Sequence, residues 1–152
     1  MIKTDPNLIK TLETDALWLV VHPVNTFDDQ VHEIYPWLRA ETINFSKRID
    51  HYLENVKYKA ISAPTPALSL FNQYANLSSS TELSNYLNRR KLSNIVYCGF
   101  HYGFCILNDP EVGAKIMKKY YNCFVKKDIC QLAWEADWND CDTATRLHAK
   151  II

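Results

Sequence analysis

Apolar positions along this chain follow two patterns. Ala16-Leu17-Trp18-Leu19-Val20-Val21 and Asn94-Ile95-Val96-Tyr97-Cys98-Gly99 are short runs with almost no polar interruption, as expected of strands covered on both faces. Over residues 31–56, Ile34, Leu38, Ile43, Phe45, Ile49, Tyr52, Leu53 and Val56 recur near helical spacing. That spacing predicts a long helix, broken near Pro36 because proline removes a donor and crowds the preceding turn. Residues 59–63 predict a weaker strand stopped by Pro64 and Pro66, and residues 67–71 a third strand. Ser79-Ser80-Thr81-Glu82 reads as a helix start, with Leu83, Tyr86, Leu87 and Leu92 on the apolar face. A helix is expected over 103–120, a strand over 123–126 with Asp128 at its end, and helix beyond it.

Strands alternating with helical segments imply βαβ units. The expected fold is therefore α/β: three αβα layers around a mostly parallel central sheet, in one domain over 1–152. In such sheets functional groups gather beyond the carboxyl ends of the strands. That directs attention to His22, Asn72, the segment from Phe100 to Cys105, and Asp128.

Charge narrows the field. Seventeen basic residues balance seventeen acidic ones, so a general electrostatic grip on nucleic acid or acidic membrane is not expected. No run reaches the ~18–20 apolar residues of a membrane span. The polar stretch over residues 1–14 does not look like a secretory leader. Five cysteines, an odd number without CxxC spacing, suggest free thiols in a reducing, cytoplasmic setting. The three glycines form no phosphate-cradling motif. Trp134, Glu135, Asp137, Trp138, Asp140 and Asp142 make an acidic, aromatic stretch. It reads either as a partner surface or as a terminal helix whose tryptophans cover the sheet.

Gly99-Phe100-His101-Tyr102-Gly103-Phe104-Cys105 leaves the clearest strand and enters the next helix. A cysteine in a first helical turn meets unpaired N–H groups and the positive end of the helix dipole. Both favour the reactive thiolate, and the same N–H groups suit an oxyanion. The alternative is that Cys105 is a small buried residue. His101, four residues earlier, either tunes the thiol or faces solvent; the loop reading favours solvent.

This segment resembles the isochorismatase-like cysteine hydrolases, which include the nicotinamidases. Their signature is a glycine after a core strand and a cysteine six positions on, which here are Gly99 and Cys105. Thr81-x-Leu83-x-x-x-Leu87, Gly113-Ala114, Asp128, and Asn25 with Phe27 after the first strand are similar to further family positions. The resemblance implies Cys105 as nucleophile, with Tyr102, Gly103 and Phe104 shaping the oxyanion loop beside His101. It also implies a general-base Asp at position 22 and a Lys at position 72, where this chain has His22 and Asn72. Tyr102 stands where Thr is usual. Two readings follow. In one, the triad is lost and the fold is retained for a small-molecule ligand or for assembly as a homo-oligomer. In the other, Cys105 and His22 form a new dyad, oriented by Asn72, that cleaves a small amide or ester. The segment between the second and third strands is short and lacks an Asp-x-His with a following His. No metal and no other cofactor is therefore expected.

Overall fold

The computed structural model describes residues 5–23, 36–63, 69–132 and 136–152. Its centre is a six-stranded sheet in the order β3-β2-β1-β4-β5-β6, with every pairing parallel. The strands are β1 (Ala16–Val21), β2 (Tyr58–Ser62), β3 (Ala75–Asn76), β4 (Asn94–Phe100), β5 (Asn122–Gln131) and β6 (Lys150–Ile151). Helices α1 (Pro6–Asp15), α2 (Pro36–Leu53), α3 (Ser80–Arg89), α4 (Cys105–Asn108), α5 (Ala114–Met117) and α6 (Trp138–Arg146) flank it. The result is the expected three-layer α/β architecture. None of the described helices is long and apolar enough to cross a membrane.

The central strands are apolar because both faces are covered. All six residues of β1 are buried, and six of the seven in β4. Trp18, fully enclosed on β1, donates its indole N–H to the Leu12 carbonyl 2.8 Å away, fastening α1 to the sheet. α1 escaped the sequence reading, although Asp5 caps it through Asn7 N–H and Pro6 opens it, a good helix start. α2 begins at Pro36, where proline's missing N–H costs no helical bond; residues 31–35 lie outside the described part. Ser79 caps α3 as its sequence suggested, accepting from the Glu82 N–H.

Three expectations need correction. Ser69–Phe71 is a turn of 3-10 helix and not a strand; the third strand is the two-residue β3 at the sheet edge. The helix expected over 103–120 is two single turns, α4 and α5. Asp109-Pro110 separates them, since the residue before proline is pushed out of the helical region, and Asp109 has ψ 125°. Finally, Asp128 does not end a strand. β5 continues to Gln131, and its register against β4 jumps from Tyr97↔Val125 to Gly99↔Cys130. Residues 126–129 bulge out of the ladder, and Asp128 sits exposed on that bulge.

The strand order changes direction between β1 and β4. In an open parallel sheet this is where a crevice opens beyond the carboxyl ends. His22 and His101 follow those two strands.

Candidate functional site

β1 and β4 run in register until Val21 pairs with Gly99. There the backbones come too close for a side chain: a Cβ on Gly99 would lie 2.7 Å from the Val21 carbonyl oxygen, and Gly99 has φ +109°. Just past this contact both chains turn sharply. His22 has φ +57° and His101 φ +62°, a left-handed conformation that costs a residue with a side chain roughly 1–2 kcal/mol. His22 is held there by its N–H, which donates to the Ser62 carbonyl at 2.7 Å. Such strain persists where surrounding structure over-determines it, commonly at functional sites.

Beyond His101 the chain enters α4. Cys105, half-buried, is its first residue. Nδ1 of His101 lies 3.2 Å from the Cys105 sulfur, so this histidine contacts the thiol and does not simply face solvent. Four residues after Cys105, Asp109 closes the turn. Its Oδ1 accepts from the N–H groups of Glu111 and Val112 at 2.8 and 3.0 Å. Its Oδ2 meets Nε2 of His22 at 3.0 Å, with both side chains mostly covered. Sequence reasoning missed Asp109. The signal was present in Asp109-Pro110, one helical turn after the cysteine.

The electrostatics run against the expected thiolate. Burial pushes the Cys105 thiol up, and the Asp109 charge pushes it further, against a smaller lowering by its own backbone N–H. A four-residue helix has little dipole to oppose this. For Asp109, burial alone would raise the carboxyl. The Val112 and Glu111 N–H groups and His22 outweigh burial and hold it below the ordinary carboxylate range. The anion beside the thiol is therefore a stable one.

Other predicted residues fall elsewhere. Tyr102 is fully buried, and its hydroxyl donates to Asp142 on α6 at 2.5 Å, so its side chain anchors the loop. Its N–H donates to the Gln131 carbonyl and that of Phe104 to the His101 carbonyl. Gly103 (φ +80°) lies flat against Cys141 of α6. Phe104 is half exposed beside Cys105. Asn72 is exposed in the turn preceding β3, toward the amino end of the parallel sheet and away from the histidines. It does not join them as the third member of a triad. The residue at the end of β3 is Asn76, whose amide brackets the backbone N–H and carbonyl of Ala63. Asn25, Phe27, Trp134 and Glu135 lie outside the described residues. Among those described, no group of three or more His, Cys, Asp or Glu side chains is placed to hold a metal ion.

Superposition on solved structures finds N-carbamoylsarcosine amidase from Thermoplasma acidophilum, with a TM-score of 0.59 over 90% of this chain and 95% of that one, at 14% identity. This chain shares the three-layer α/β fold of that structure. At that identity the likeness concerns the fold and does not extend to the chemistry. No protein-family model and no curated protein matches the sequence.

Proposed function

We propose that this is an isochorismatase-like protein with a substituted triad, chemically impaired at neutral pH and retained to bind a small ligand beyond the carboxyl ends of β1 and β4. One observation carries this reading: the half-buried Cys105 sits one helical turn from the Asp109 carboxylate, which His22 holds at 3.0 Å, so that burial first and this charge second push the thiol up. Thiolate is the nucleophile, and a neighbouring anion disfavours it. At position 22, where the family resemblance implies a general-base Asp, the histidine is committed to fixing that anion. The two left-handed histidines and the half-exposed Phe104 beside the thiol support a crevice kept in shape for an apolar-bodied ligand.

A second reading is favoured by the 3.2 Å contact between His101 and Cys105. Here His101, and not His22, takes the thiol proton as sulfur attacks the carbonyl carbon of a small amide or ester. It then returns the proton to the departing amine or alcohol, and water cleaves the thioester. One experiment separates the two. Cys105 is alkylated with iodoacetamide across a pH series and followed by peptide mass spectrometry, then challenged with p-nitrophenyl acetate at neutral pH. The impaired reading expects a Cys105 pKa above that of an ordinary thiol and no acyl adduct. A depressed pKa, or an acetyl adduct on Cys105 that His101→Gln prevents, overturns it in favour of the hydrolase.

A further inference from the structure

A cleft of about 720 Å³ opens between α2, the bulge of β5 and α6, with neither Cys105 nor the two histidines in its lining. That volume lies in the range of small-molecule sites. Its lining breaks the chain's charge balance. Arg48, Lys126, Lys127 and Arg146 face Asp128 and Asp142 there, four cations against two carboxylates, in a protein with 17 of each sign overall. Both carboxylates are already engaged: Lys126 lies 2.8 Å from Asp128, and Lys127 lies 2.7 Å from Asp142. Arg48 and Arg146 form no ion pair among the described residues, although the field of Arg146 reaches Asp142. Lys126, with its side chain only 10% exposed, has the cost of its burial offset by that pair with Asp128, so the cations left to meet a ligand are Arg48 and Arg146.

The same walls carry aromatic surface. Trp138 is 41% exposed on the cleft and has the Lys127 ammonium 5.2 Å from its ring. Phe45 lies across from it with the Arg48 guanidinium 5.4 Å from its ring. Guanidinium groups match the planar or forked oxygens of carboxylates and phosphates, and the exposed part of Trp138, with the half-buried Phe45 edge-on to Phe100, gives a planar ring apolar surface to pack on.

We propose that this cleft is a second binding site, distinct from the Cys105 crevice, for a small aromatic oxyanion held by Arg48 and Arg146 with its ring against Trp138 and Phe45. Phenyl phosphate is the probe, titrated by calorimetry into the whole protein, with inorganic phosphate and benzyl alcohol as the two halves alone. Phenyl phosphate is expected to bind saturably and more tightly than either half. The double variant Arg48→Gln with Arg146→Gln, both at exposed positions, is expected to weaken it at least about tenfold, with the circular dichroism spectrum unchanged. Cys105→Ser should leave binding intact. Four outcomes overturn the proposal: no saturable binding at millimolar probe, binding indifferent to the two arginines, inorganic phosphate binding as well as the aryl ester, or loss of binding in Cys105→Ser, which would place the ligand at the thiol.

Discussion

The carboxylate of Asp109 has two faces and uses both. Oδ1 satisfies two backbone donors that the break at Pro110 would leave without partners, and Oδ2 holds the imidazole of His22. A carboxyl kept below its ordinary range contributes stability that is fully present above the unfolded pKa. That stability is lost as the pH falls through the lowered folded value. Starting from an ordinary value of 3.8, the loss therefore falls at and below about pH 4. Asp109→Asn keeps the shape and part of the capping but removes the charge. It is expected to cost about 1–2 kcal/mol at neutral pH, and less below the ordinary carboxyl range, where the unfolded native chain binds a proton that the folded carboxylate resists. Urea unfolding of both proteins at pH 6 and pH 3 checks this. A difference that stays constant between the two pH values would show that the charge does not matter. The same variant should lower the Cys105 thiol pKa, because it deletes the anion that raises it.

At the scale of elements, the most apolar segments were legible and the short connecting ones were not. β1 and β4 could be read because burial on both faces leaves no room for polar residues, and α3 because Ser79 and Glu82 announce its cap. β3 was misplaced because two residues carry no periodicity and Leu68-Ser69-Leu70-Phe71 imitates a strand. The bulge of β5 was hidden because its Lys-Lys-Asp reads like the end of a strand. At the site, Cys105 and both histidines could be picked out by position, and the contact of His101 with the thiol was one of two options, but the partner of His22 could not be read. His22 to Asp109 is a contact across 87 residues, and local pattern does not encode it. Gly103 offers a test at this scale. A Cβ there would sit 2.6 Å from the Cβ and sulfur of Cys141, at a φ of +80°. Gly103→Ala adds overpacking to backbone strain and is expected to cost about 2–4 kcal/mol in urea unfolding. A loss below about 0.5 kcal/mol, within the range of ordinary surface substitutions, would mean that the loop does not press on α6 as described.

Over the whole molecule, the thiol loop is held by elements that belong to the other end of the chain. Asp142 on α6 accepts from Tyr102 in the loop and from Lys127 on the β5 bulge. Burial would raise this carboxyl, yet those two hydrogen bonds, Lys127 first, keep it below its ordinary range. Three segments that diverge in sequence thus meet on one buried charge, and breaking one contact should loosen the others. Tyr102→Phe preserves the ring in its pocket but takes a donor from Asp142, at an expected cost of about 1–2 kcal/mol. Its diagnostic effect is local. Cys141, only 3% exposed, lies directly under Gly103, so lifting of the loop should speed its alkylation in native buffer. Cys98 is wholly enclosed and reports global unfolding. If Tyr102 anchors the loop, Cys141 labelling accelerates in Tyr102→Phe while Cys98 labelling tracks only the change in overall stability. If both thiols accelerate in parallel, the hydroxyl contributes to stability without fastening the loop, and the link between the β5 bulge and the thiol loop is broken.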